Sequence, residues 1–224
     1  MTVTVDNIDL DRALVYMGSR GRDASALMPL VNECAERLAE TISPLYIYRL
    51  FPLKRSEKGI EVCGTELVLT GRSIFDHLEG CESCVLLAAT LSSGADRLIR
   101  QFEAYDMTKA FVTDCIASSA IEDVCDGAEN DIMKRLPDKH FTWRYSPGYG
   151  DLPLELQRML LNVLDAPKRI GLNVTDSGML VPSKSVTAVL GVSDEPVSRK
   201  KRGCGGCSMF ENCTFRKGGD HCGV

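Results

Sequence analysis

The chain has 224 residues, 44% of them hydrophobic and 25% charged, a balance that excludes disordered and fibrous classes. Lys and Arg number 26 against 31 Asp and Glu, a net charge of −5 that argues against broad, phosphate-driven nucleic-acid binding. The opening MTVTVDNIDLDR carries acids where a signal peptide needs a basic and then an apolar segment. The longest apolar run, around Val85–Ala89, is far shorter than the roughly 20 residues of a membrane span. These features lead us to expect a soluble, cytoplasmic protein with no membrane or nucleic-acid partner.

In chain order, Leu27, Val31, Cys34, Leu38 and Ile42 recur at helical spacing, predicting a helix from Asp23, its N-cap, to Ile42. Pro29 falls early in that span and threatens to delay its start. Leu45–Leu50 suits a strand, and Gly59–Thr70 two short strands about Gly64. Ser73 is placed to cap a short helix ending near Gly80. Ser83–Thr90 is an apolar run of the kind found in buried strands. Helices are predicted over Asp96–Phe102 and Met107–Arg135, the second with Val112, Ile116, Ala120 and Val124 along one face. Ser92, Ser93 and Gly94, before Asp96, read either as an anion-binding helix start or as an ordinary cap. After a Gly/Pro loop, Leu154–Leu164 returns to helical spacing. Gly171–Gly191 reads as short strands broken at Asp176–Gly178 and at Pro182. The expected class is α+β, a mixed sheet with long helices.

The loop RYSPGYGDLP, Arg144–Pro153, is the most informative segment of the body. Arg144 presents a fork suited to a carboxylate or phosphate, Gly148 and Gly150 permit close backbone approach, and Tyr145 and Tyr149 offer ring faces. Asp151 is placed to cap the following helix. Turn chemistry alone also accounts for these residues.

This loop, followed by IGLNVTDSGMLVPSKSVTAVLGVS, resembles the activation domain of vitamin B12-dependent methionine synthase. The matching positions are Arg144, Gly148, Tyr149, Pro153, Gly171, Thr175, Ser177, Pro182, Ser185, Val186 and Thr187, with Leu180 where the pattern has Met. The likeness covers roughly residues 110–192, including the helical segment Asp114–Arg135. It implies the activation-domain fold and a shallow groove that binds S-adenosylmethionine and presents it to a corrinoid. Arg144 would hold the ligand's carboxylate, backbone at Tyr145–Gly148 would meet its polar atoms, and Tyr149 would line the pocket. The implied function is reactivation of a cobalamin-dependent methionine synthase by reductive methylation of its oxidised cobalamin. That cobalamin would be held by the partner, a methionine synthase or related corrinoid protein, with an electron donor besides; no D-x-H-x-x-G signature occurs here. A methyl on a sulfonium is already activated, so the task is placement rather than proton transfer. His77, His140 and His221 lie far apart and read as structural or surface residues.

The composition changes at Asp194, so the expected organisation is a ligand-binding domain over 1–193 and a Cys-rich tail over 194–224. Of ten cysteines, Cys204, Cys207, Cys213 and Cys222 form C-x2-C-x5-C-x8-C among glycines. Four thiolates at this spacing suit zinc or a [4Fe-4S] cluster. The electron that the resemblance calls for, and the basic run Arg199–Arg202, favour the cluster; His221 keeps a three-cysteine, one-histidine zinc site open. Two other readings follow from this tail: an electron-transfer or corrinoid-activating iron–sulfur protein that binds no S-adenosylmethionine, and a zinc-stabilised interaction module. Cys81 and Cys84 make a second C-x2-C without a partner pair, and Cys84 is expected to pack as a small hydrophobe.

Overall fold

A computed structural model describes residues 8–19, 24–197 and 211. In order they form α1 (Leu10–Tyr16), α2 (Met28–Thr41), β1 (Leu45–Ser56), β2 (Gly59–Val62), β3 (Val68–Leu69), α3 (Arg72–His77), β4 (Ser83–Thr90), α4 (Ser93–Glu103), α5 (Met107–Arg135), β5 (His140–Phe141), α6 (Leu156–Leu164), α7 (Ala166–Ile170), β6 (Asn173–Val174), β7 (Leu180–Val181) and β8 (Ser185–Ser193). The α+β expectation holds, and six of the strands form one sheet in the order β3-β2-β1-β4-β8-β5. The neighbours are antiparallel where β1 meets β2 (Leu53 opposite Val62), β2 meets β3 and β5 meets β8 (Phe141 opposite Val192). Along β1 and β4, Ser43 N–H donates to Leu91 O at one end and Leu53 N–H to Glu82 O at the other, so this pair is antiparallel too. The central strand β4 is buried from Cys84 to Thr90, as its unbroken apolar run requires.

The chain divides into two compact units, with boundaries inside β1, β4 and β8 and at the ends of α5 and α6. The first comprises the described residues of Met1–Ile47, Ala88–Arg135 and Asp165–Val186. Here α1, α2 and α4 pack on α5. At 29 residues, α5 is about 43 Å long, and the predicted face of Val112, Ile116, Ala120 and Val124 is buried. Helix α1 escaped sequence analysis. Asp9 caps it, accepting from Arg12 N–H at 2.9 Å, and Arg12 reaches back to Asp123 and Asp126 of α5 at 3.1 and 3.2 Å.

Helix α2 starts at Met28 rather than Asp23, with Pro29 in its first turn and Leu27 at the cap position. A proline ring fits only there, because its missing N–H is one the first turn leaves unpaired anyway. Asp23 itself lies outside the described residues. At the start of α4, Ser92 occupies the N-cap position without the side-chain bond of an ordinary cap. Its Oγ donates to Ser43 O at 2.5 Å, and the Thr41 carbonyl oxygen closes against Gly94.

The second unit comprises the described residues of Tyr48–Leu87, Leu136–Leu164 and Thr187–Val224. Besides its share of the sheet it holds α3 and α6. Helix α6 buries Gln157, Leu160, Leu161 and Leu164 on one face, and Gln157 accepts from Thr187 Oγ1 at 3.2 Å. It begins two residues later than its spacing predicts.

Candidate functional site

The loop after β5 lies wholly in the second unit, and its conformation follows from its hydrogen bonds. Tyr145 and Val189 exchange both backbone bonds, at 2.9 and 2.8 Å, which fastens one end to β8. Gly148 N–H then donates to Leu152 O at 2.8 Å, Tyr149 N–H to Ser146 O at 3.0 Å, and Leu152 N–H to Tyr149 O at 3.0 Å. The Tyr145 donor is therefore spent on β8, and those of Gly148 and Tyr149 are spent inside the loop. None of these bonds uses the carbonyls of Pro147 or Gly148, so the loop backbone has acceptors to offer a ligand. Such a surface complements an ammonium or an amino group.

Around it stands an aromatic cluster. Tyr145 is 6% exposed and its ring centroid lies 4.8 Å from His77, 5.1 Å from Trp143 and 5.9 Å from Tyr149. His77 and Trp143 meet edge to face at 4.8 Å. Tyr149 is 46% exposed, leaving a wet ring edge-on to a buried one. Arg144 is 7% exposed, between Trp143 and Tyr145 in the chain. Its guanidinium carries five donors, enough to serve the protein and a ligand together. Of the predicted residues, Arg144, Tyr145, Gly148 and Tyr149 thus fall on one short loop with the rings of Tyr145 and Tyr149 in contact.

Sequence reasoning missed the residues behind that loop. Helix α3 carries no side-chain cap of its own, and Ser73 is not its N-cap; Gly71 is. The carboxylate of Asp151 supplies what is missing, accepting from Arg72 N–H at 2.7 Å and Ser73 N–H at 2.9 Å. Asp151 therefore caps α3 and not the helix that follows it. The backbone N–H of Ser73, then its hydroxyl, then the N–H of Arg72 hold the Asp151 carboxyl below the usual carboxylate range. Glycines make this approach possible. A Cβ on Gly71, at φ +115°, would meet Asp151 O and Oδ1 at 2.7 Å. One on Gly150 would meet Tyr145 Oη at 2.5 Å and Ser73 Oγ at 2.6 Å.

The other end of α3 touches the same loop. His77 Nε2 lies 2.8 Å from Thr142 Oγ1, which also accepts Gly191 N–H at 2.8 Å. Burial first, and the Asp151 charge with it, push the Tyr145 phenol upward, while Ser73 pulls it back. The one signal in the sequence for this surround is the single tryptophan, Trp143, beside Arg144.

A groove of about 490 Å³ lies elsewhere in the second unit, lined by Arg49, Glu66, Glu155, Arg158 and Asn162 among others. None of the predicted loop residues lines it. Cys81 and Cys84 are buried, and burial pushes their thiols to about 11 and about 12, as befits packed side chains. Among the described residues no group of three or more His, Cys, Asp or Glu could hold a metal ion, and no helix is long and apolar enough to cross a membrane. Cys204, Cys207, Cys213 and Cys222 lie outside the described residues.

Comparison with solved structures places the fold. The crystal structure of the MetH reactivation domain bound to AdoHcy superposes with a TM-score of 0.70, covering 90% of this chain and 79% of that one at 16% identity. The chain has the fold of the MetH reactivation domain. No protein-family model matches the sequence, and no curated protein is similar to it by sequence. The shared architecture is one of an antiparallel sheet with long helices, and the expected activation-domain fold is thereby met.

Proposed function

We propose that this protein binds S-adenosylmethionine on the Arg144–Asp151 loop and serves to reactivate a cobalamin-dependent methionine synthase or related corrinoid protein. The observation that carries the reading is the coincidence of two things. The fold is that of a reactivation domain solved with AdoHcy, the demethylated form of S-adenosylmethionine. On that fold, the loop singled out by its sequence groups a guanidinium, two contacting tyrosines and unspent carbonyls. In this reading Arg144 takes the ligand's carboxylate in a charge-assisted fork, and the carbonyls of Pro147 and Gly148 face its ammonium or adenine amino group. Tyr149 covers one side, its ring set by Tyr145.

The partner's cobalamin supplies the redox and methyl-acceptor chemistry. This chain binds the sulfonium, orients its methyl and keeps it placed, and needs no proton donor to do so. We further propose residues 1–193 as the ligand-binding part and the C-x2-C-x5-C-x8-C cysteines of 194–224 as ligands of a zinc ion or [4Fe-4S] cluster. That donor set is four soft thiolates, which suits either. The absorbance spectrum of anaerobically purified protein separates them, since zinc is colourless.

The test is reactivation. Oxidised, inactive methionine synthase is mixed with this protein, S-adenosylmethionine and a chemical one-electron reductant, and methylcobalamin is followed by its visible spectrum. The reading expects the spectrum to recover with the wild-type protein and not with Arg144→Ala. Recovery that is equal with and without the protein would contradict it.

A further inference from the structure

We propose that Asp151 is a positioning residue of this site, clamping α3 so that the helix acts as a strut across the loop. The inference rests on the reading of the loop as the ligand site. Its observations are independent of that reading. Helix α3 has only six residues and touches the loop at both ends. At its start, the Arg72 and Ser73 N–H groups are satisfied by a carboxylate 79 and 78 residues further along the chain. At its end, His77 seats on Trp143 and Tyr145 and meets Thr142 Oγ1. Residues 142–145 and 151 bracket Gly148 and Tyr149, so the length of α3 fixes the spacing of the loop's two shoulders. Ser73 ties the shoulders together, since Tyr145 Oη and Ser73 Oγ both crowd Gly150.

An acid is well suited to this clamp. It accepts two N–H bonds with separate oxygens and carries negative charge to a helix start, where the backbone dipoles favour it. Losing it frees one shoulder only, because the Tyr145–Val189 bridge and the turn bonds of Gly148 and Leu152 stay in place. The fold is expected to survive while the Gly150–Asp151 shoulder beside Tyr149 loses its anchor on α3. Asp151 touches no ligand in this scheme; it acts through α3.

The experiment measures S-adenosylhomocysteine affinity by calorimetry for the wild type, Asp151→Ala and Asp151→Asn, with Trp143 emission and thermal midpoints in parallel. Ala removes both acceptors and should weaken binding about tenfold, with a shifted Trp143 emission in the unliganded protein. Asn keeps one acceptor oxygen and the shape, and should fall between Ala and wild type, a graded rescue that a merely structural role would not give in affinity. Folded Asp151→Ala binding within threefold of wild type overturns the proposal while leaving the ligand site intact. If Ala does not fold, Asn decides alone: a loss of threefold or more supports the clamp, and less overturns it. Absence of binding by the wild type overturns the ligand site and the clamp with it.

Discussion

Two stretches carry the sequence pattern of this fold, the Arg144–Pro153 loop and the hairpin region Gly171–Thr187, and the structure uses them differently. In the hairpin region nearly every polar side chain turns back onto the chain. Thr175 Oγ1 accepts Met179 N–H at 3.0 Å and meets Ser177 Oγ at 2.9 Å, closing the β6–β7 turn. Asp96 of α4 takes both Ser183 N–H and Ser183 Oγ, at 2.9 and 2.6 Å. Ser185 Oγ donates to Thr90 or to Pro182 O, and Lys184 pairs with Asp114 at 2.8 Å. In the loop, by contrast, the backbone donors of Tyr145, Gly148 and Tyr149 are spent on the protein while the Pro147 and Gly148 carbonyls take none of these bonds and the Tyr149 ring stands half exposed. On the proposed reading, one ordered pattern mixes residues that close the fold with residues that would face a ligand, and local hydrogen bonding sorts them.

Substitutions can break or sharpen this contrast. The largest expected effect is Arg144→Ala, which should weaken S-adenosylhomocysteine binding roughly 10- to 100-fold, the weight of a charge-assisted bond to a carboxylate. Calorimetric titration checks it, and undiminished affinity would remove Arg144 from the site. Next, Tyr149→Ala should cost about tenfold in affinity, yet leave the thermal midpoint nearly unchanged because that ring is already half in water. Asp96→Ala should do the reverse. Losing both Ser183 bonds should lower unfolding stability by about 1–2 kcal/mol in urea titrations, with affinity within twofold of wild type. The smallest effect is chemical. Thiolates do the reacting, and burial pushes Cys81 and Cys84 to about 11 and about 12. Iodoacetamide at pH 8 followed by peptide mass mapping should therefore spare both in the native protein; raising the pH towards 11 should begin to expose Cys81 before Cys84. Early labelling of Cys84 would show the sheet opening.

What could be read from the sequence follows the range of the interactions. Strand β4 and the buried face of α5 were legible, since an apolar run and a 3.6-residue period report burial locally. The four loop residues were legible as a group because they are near neighbours in the chain. Asp151 was legible as a capping residue but assigned to the wrong helix. Local capping rules look three residues ahead, and its real partners, Arg72 and Ser73, lie nearly 80 residues back. His77 was read as a structural or surface residue, but its neighbours Thr142, Trp143 and Tyr145 were not legible, being brought to it only by folding. Pro29 announced the delayed start of α2, and the helix begins where the proline permits.

The contrast between loop and hairpin comes down to one measurement: calorimetric titration of S-adenosylhomocysteine into the wild type, Arg144→Ala and Asp96→Ala, side by side. The account predicts one saturable site in the wild type, kept in Asp96→Ala and lost or weakened at least tenfold in Arg144→Ala. No binding by the wild type, or the same affinity in all three, would contradict it.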